Sequence, residues 1–220
     1  MLLREAREAV VEHCLRMRDD DLTVATSGNI SVRVGDLVAV TPSGVAYESL
    51  TAAGVCVVDM DGHPADAATA GVVASSELPM HLAVYRGTDA GAVVHTHPLY
   101  ATTVSLLLDE LPAVHYMVAA LGGPVRVAPY ATYGTSELAE ASVVAMAGRT
   151  AVILRNHGAT TYGPDLPTAY TRSLYLEWLC RLWHQASLAG TPRLLPPEEI
   201  DRVAALLRGY GQRPGEVTPG

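Results

Sequence analysis

At 220 residues, 49% hydrophobic and 17% charged, the chain has the size and composition of one globular domain with a substantial core, which excludes fibrous and disordered classes. Its net charge of −8, with no lysine and no run of arginines, excludes a nucleic-acid footprint, so any anionic ligand has to be held by local groups. Cys14, Cys56 and Cys180 form no CxxC pair and read as small buried hydrophobes of a reduced, cytoplasmic protein. The N-terminus carries charges where a signal peptide has its apolar core, and no apolar run approaches the roughly 20 residues of a membrane span.

In chain order, Leu3, Ala6, Val10, Cys14 and Met17 recur at helical spacing and predict an amphipathic helix ending at Asp19-Asp20-Asp21. Thr26–Val34 and Leu37–Gly44 read as two strands around a Gly35-Asp36 turn, and Val55–Met60 as a third. A helix is predicted from Ser75, as N-cap, to about Arg86, with Pro79 tolerated in its first turn. A strand follows through Ala92–His97. Thr102–Leu108 reads as a short helix, and Pro112–Met117 and Val125–Ala128 as extended. Thr135 caps a helix running to Gly148, Ala151–Arg155 is a strand, and helices cover Pro167–Leu188 and Pro197–Leu207. Without a strict βαβ rhythm, this order predicts a single α/β domain over residues 1–220: a mixed, largely antiparallel central sheet with helices on both faces, and a mobile tail at about 211–220.

The most informative segment is Ala92-Val93-Val94-His95-Thr96-His97-Pro98. On a strand, residues i and i+2 share a face, so the two imidazoles either project toward one metal or are strand histidines satisfied by hydrogen bonds. Their place at the end of an apolar strand, where α/β proteins tend to keep ligands, favours the metal. His157, in a second strand-then-turn segment, and Glu77, in Ser75-Ser76-Glu77, would complete a nitrogen and oxygen set suited to Zn²⁺. His81 shares a helix face with Glu77 and reads as structural. His13, His63, His115 and His184 have no metal-like spacing and read as surface or packing residues.

Three further segments stand out for their lack of bulk: Thr26-Ser27-Gly28-Asn29, Thr41-Pro42-Ser43-Gly44 and Ser75-Ser76. Hydroxyls, exposed N–H groups at glycine and a helix N-terminus can hold a phosphate without lysine or arginine, although each segment alone is equally explained by turn or capping chemistry.

Taken in order, Ser27-Gly28-Asn29-Ile30-Ser31, Thr41-Pro42-Ser43-Gly44, Ser75-Ser76-Glu77, His95-Thr96-His97 and Asn156-His157-Gly158 resemble the class II aldolase/adducin family. Pro112–Met117 and Ala128–Thr135 resemble its aldolases that act on L-fuculose 1-phosphate. The resemblance implies a zinc-dependent, reversible cleavage of that ketose phosphate to dihydroxyacetone phosphate and L-lactaldehyde, with one Zn²⁺ per subunit. It also implies a C4 homotetramer with its sites in clefts between subunits. By position, His95, His97 and His157 are the lasting zinc ligands, and Glu77 leaves the metal to move the proton at C3. Gly28, Asn29, Ser43, Gly44, Ser75 and Ser76 hold the phosphate, and Tyr116 and Tyr210 are phenols at the aldehyde end, Tyr116 serving a neighbour's zinc. The same scaffold also serves other deoxyketose 1-phosphates, 4-epimerisation of L-ribulose 5-phosphate and dehydration of methylthioribulose 1-phosphate. An adducin-like binding head without the metal site is disfavoured by the intact set of Glu77, His95, His97 and His157.

Overall fold

The computed structural model describes residues 1–69 and 71–209. An eight-stranded sheet runs in the order β3-β2-β1-β4-β8-β7-β6-β5. Its strands are β1 (Asn29–Val34), β2 (Leu37–Val40), β3 (Cys56–Asp59), β4 (Ala92–Thr96), β5 (Glu110–Leu111), β6 (Val125–Ala128), β7 (Ala151–Leu154) and β8 (Gly158–Gly163). Among the described residues only β6 and β7 pair parallel; every other neighbour is antiparallel, as expected from the element order.

Both faces are covered because the strands alternate two apolar sets. Val38, Val40, Val58, Val93, Val152 and Leu154 pack under α2 (Leu78–Gly87) and α4 (Ser136–Ala145). Ile30, Ala39, Val57, Ala92 and Val94 face α1 (Arg4–Asp19) and the first turns of α5 (Leu166–Ala189). Farther along the same face, Val125, Val127, Ala151 and Ile153 meet α3 (Leu99–Leu107), the second half of α5 and α6 (Pro197–Leu207). The three cysteines are buried and unpaired. No helix among the described residues is long and apolar enough to cross a membrane.

One strand was not expected from the sequence, and three local expectations need correction. β8, with the sequence Gly-Ala-Thr-Thr-Tyr-Gly, has no apolar alternation to announce it, yet it lies at the centre of the sheet between β4 and β7. Its threonine hydroxyls are satisfied by tertiary partners: Thr160 by His95 and Met80, Thr161 by Ala169 and Ser173. α2 begins at Leu78, not Ser75. The Ser75 N–H is paired to the Thr41 carbonyl in a bridge-like contact, and Ser75 Oγ accepts from Glu77 N (3.2 Å) as a turn rather than as a helix cap. Pro112–Met117 is not extended throughout: β5 stops at Leu111 and the chain enters a 3₁₀ helix at Tyr116–Leu121, capped by His115 Nδ1 accepting from Met117 N. α3 begins three residues earlier than predicted, at Leu99, because both Glu177 oxygens accept from the free N–H groups of Tyr100 and Ala101 (2.8 Å each).

Candidate active site

β4 carries His95 on its last turn of pleat and delivers His97 just beyond its end. His157 arrives on the tight connection between β7 and β8, where Asn156 takes a left-handed conformation (φ 56°) to turn the chain. Gly158 then lets β8 close on β4, since a Cβ there would collide with the Thr96 carbonyl and lie 3.3 Å from His97 Cα. Glu77, the residue preceding α2, brings Oε2 to 3.0 Å from His95 Nε2 and Oε1 to 3.3 Å from His157 Nε2. One ligand atom from each of the four residues falls within 4.8 Å of all the others.

The protonation pattern suits a cation. His95 Nδ1 lies 3.0 Å from the Ala159 carbonyl, which can only accept, so the ring proton sits on Nδ1 and Nε2 points bare into the cluster. Burial, with the neighbouring histidines, pushes His97 down to about 3 and His157 to about 4, so both are neutral ligands at physiological pH. Burial alone would raise Glu77, but the neighbouring His95, the hydrogen bond from Asn29, and His157 outweigh it and hold the carboxyl well below the usual range. The Nε2 atoms of His95 and His97 face each other at 2.9 Å, and Glu77 Oε1 is buried with no hydrogen-bond donor. Two lone pairs aimed at each other and an orphan carboxylate oxygen are what a divalent ion would satisfy, so the donor set of three imidazoles and one carboxylate fits a metal such as Zn²⁺.

Beside the cluster opens a cleft of about 410 Å³ lined by Gly28, Asn29, Ser43, Gly44, Ser75 and Ser76, together with Glu77, His97 and His157. Gly28 has φ +84°, and a Cβ there would sit 2.9 Å from the His95 carbonyl, so only glycine lets this loop close against the metal-side strand. The N–H groups of Ser43 and Ser75 are taken by the Val73 and Thr41 carbonyls, so these residues offer an anion hydroxyls rather than backbone donors. Asn29 is buried and donates Nδ2–H to Glu77 Oε2 (2.9 Å), which ties it to the carboxylate as well as to the cleft. Tyr130, Tyr133 and Asn156 also line the cleft; they lie in segments that carry the family resemblance but have no role assigned from the sequence. The aromatic run Tyr130-Ala131-Thr132-Tyr133 was the available signal.

A second recess of about 710 Å³ shares Ser27, His97 and His157 with the first; its wall is largely apolar, with Leu22, Val24, Leu99, Leu174 and Trp178, but also includes Asp20, Asp21, Glu177 and Arg181. Tyr116 lies outside both, half exposed on the 3₁₀ helix against His115 (ring centroids 4.3 Å). Tyr210 lies outside the described residues. His81 is fully buried beneath the site, while His13 packs on Tyr170, His184 on Tyr100, and His63 lies exposed beside Asp59.

The chain is similar to known aldolases. A 5-deoxy-D-ribulose 1-phosphate aldolase of Bacillus thuringiensis is 40% identical over 216 residues, covering 97% of this chain and all of that protein. An L-fuculose phosphate aldolase of Escherichia coli K12 is 37% identical, covering 93% of this chain and 94% of its own length. A solved L-fuculose 1-phosphate aldolase superposes with a TM-score of 0.90 at 36% identity, covering 94% of this chain and 98% of that one. Residues 8–184 match the family described as class II aldolase and adducin N-terminal domain. With that match spanning most of its length and relatives above 30% identity over nearly all of it, the chain belongs to the class II aldolase family.

Proposed function

We propose that this class II aldolase cleaves a 1-phosphorylated deoxyketose whose far end is a methyl group, with L-fuculose 1-phosphate as the leading substrate, yielding dihydroxyacetone phosphate and L-lactaldehyde. The observation that carries the reading is the position of the four-residue cluster between two unlike spaces: a cleft of hydroxyls on one side and a largely apolar recess on the other. A ketose with phosphate at one end and methyl at the other matches that polarity. The 40% identity to a 5-deoxy-D-ribulose 1-phosphate aldolase favours a second reading, in which the aldehyde is acetaldehyde.

With Zn²⁺ held by His95, His97 and His157, the site gains Lewis-acid stabilisation of the negative charge left on the three-carbon fragment. The chain has no lysine, so a Schiff-base route is closed to it. Ser43, Ser75 and Ser76 bind the phosphate through their hydroxyls. In the synthesis direction ionised Glu77 takes a proton from C3 of dihydroxyacetone phosphate, C3 bonds to the aldehyde carbon, and the phenol of Tyr116 of a neighbouring subunit gives its proton to the oxygen at C4; cleavage is the same sequence in reverse. Each such transfer is worth about 10²–10⁴-fold. The family resemblance assigns Tyr210, which lies outside the described residues, to the same end; the assembly is a homotetramer, and the enzyme is cytoplasmic, in keeping with three unpaired buried cysteines.

The test is a coupled assay for dihydroxyacetone phosphate release from L-fuculose 1-phosphate and 5-deoxy-D-ribulose 1-phosphate, with epimerisation of L-ribulose 5-phosphate followed in parallel. Release from at least one 1-phosphate with no epimerisation is expected. Epimerisation without release would overturn the reading.

A further inference from the structure

Beneath the cluster, on the α2 face of the sheet, a run of buried polar side chains leads away from Glu77. Asn29 Nδ2 lies 2.9 Å from Glu77 Oε2, and Asn29 Oδ1 meets His81 Nε2. His81 Nδ1 lies 2.6 Å from Ser31 Oγ, and Ser31 Oγ 2.8 Å from Tyr85 OH. Asn29 is 5% exposed, Tyr85 1%, and Ser31 and His81 not at all. The sheet and α2 build this run together: Asn29 and Ser31 are alternate residues of β1, and His81 and Tyr85 are one helical turn apart.

The direction of every hydrogen bond follows from the carboxylate end. An ionised Glu77 can only accept, so Asn29 must turn its NH₂ toward it and its carbonyl oxygen toward His81. That oxygen can only accept, so the His81 proton sits on Nε2. Its Nδ1 is then a bare acceptor, which only the Ser31 hydroxyl can serve, and Ser31 in turn accepts from Tyr85. Reversing any link would set two acceptors or two donors face to face in a site that excludes water, at the cost of an unsatisfied buried group.

We propose that His81, held as its Nε2–H tautomer by Ser31, is a positioning residue. It locks the Asn29 amide so that Glu77 keeps Oε2 engaged and presents Oε1 bare to the metal cluster. The role ascribed to Glu77 rests on the aldolase reading above; the donor chain itself does not. His95 and His81 then carry opposite tautomers, Nδ1–H and Nε2–H respectively, within one site.

The test is long-range ¹H–¹⁵N correlation on metal-free protein with labelled histidine. Besides that of His115, whose Nδ1 accepts from Met117 N, a ring protonated at Nε2 and bare at Nδ1 is expected at neutral pH, assigned to His81 by its loss in His81→Gln. Ser31→Ala should scramble that tautomer, weaken Zn²⁺ binding in a chelator competition, and lower kcat about tenfold while KM stays within about twofold. Ser31→Thr, which restores the hydroxyl, should recover the tautomer and most of kcat. A wild-type His81 protonated at Nδ1, or at both nitrogens, overturns the proposal, as does Ser31→Ala with unchanged kcat and metal affinity. Should Ser31→Ala fail to fold, the wild-type tautomer decides alone. If no ketose phosphate is cleaved, tautomer and metal affinity are still read, which separates a wrong substrate from a wrong donor chain.

Discussion

At the centre of the sheet, β8 turns Thr161 toward α5 and Thr160 toward α2, and the two hydroxyls, both buried, meet different fates. Thr161 donates to the Ala169 carbonyl (2.8 Å) and pairs with Ser173 (2.6 Å), a small set closed on itself inside an apolar layer. Thr160 touches His95 Nδ1 (3.0 Å), and from there the polar contacts run through the cluster to Glu77 Oε1, which has no donor. One face of the strand is satisfied and the other is left open at a single point. Buried polarity therefore marks a working site only where the hydrogen bonding fails to close.

That contrast is open to attack. The largest effect is expected from chelation: the α2 face should lose all aldolase activity and regain it with Zn²⁺, while the sheet, whose cores do not include the cluster, stays folded by circular dichroism. Full turnover by protein shown metal-free by elemental analysis would break the comparison. Next, Glu77→Gln keeps an acceptor for Asn29 but removes the base, so kcat should fall about 10²–10⁴-fold with little change in stability. Unchanged exchange of the C3 proton of dihydroxyacetone phosphate with solvent would show that Glu77 does not move it. On the opposite face, Ile153 is fully buried. Ile153→Ala should cost about 2–5 kcal/mol in urea denaturation and leave kcat of the folded protein as it was. A lost kcat there would mean that the two faces are coupled. The smallest effect is expected of Ser75→Ala, where losing one hydroxyl to a charged phosphate should reduce kcat/KM by about 1.5–3 kcal/mol. An equal loss with an unphosphorylated ketose would mean that Ser75 acts through its turn with Glu77.

The residues that the structure gathers at the site were legible where chemistry and periodicity coincide. His95 and His97 follow from strand spacing at the end of an apolar run, and α1, α5 and α6 follow from apolar or capping patterns close to their observed bounds. β8 was illegible because its stability comes from two neighbouring strands and from threonine hydroxyls bonded across the sheet, not from its own hydropathy. The start of α2 was misread because Ser75 is a good cap in isolation, whereas here its N–H is drawn to Thr41. His81 carries no signal in sequence beyond its place one turn after Glu77. Its partners Asn29 and Ser31 are some 50 positions away and meet it only once β1 packs beneath α2.

The lone parallel pairing among the described residues has a consequence for how this site can be altered. A strand that returns parallel to its neighbour cannot do so by a hairpin, so the chain between Ala128 and Ala151 must leave the sheet, cross the α2 face as α4, and come back. Tyr130 and Tyr133 ride on the outbound leg as exposed members of the cleft wall, and Gly134 lets that leg pass close to the Ser76 carbonyl, which a Cβ would approach to 2.9 Å. The rim of the cleft is thus carried by a segment that contributes no rung to the ladder. Exchanging Tyr130 or Tyr133 reshapes the entrance without shifting any strand register, which makes this excursion the part of the molecule where new substrate preferences can be selected at least cost to the fold.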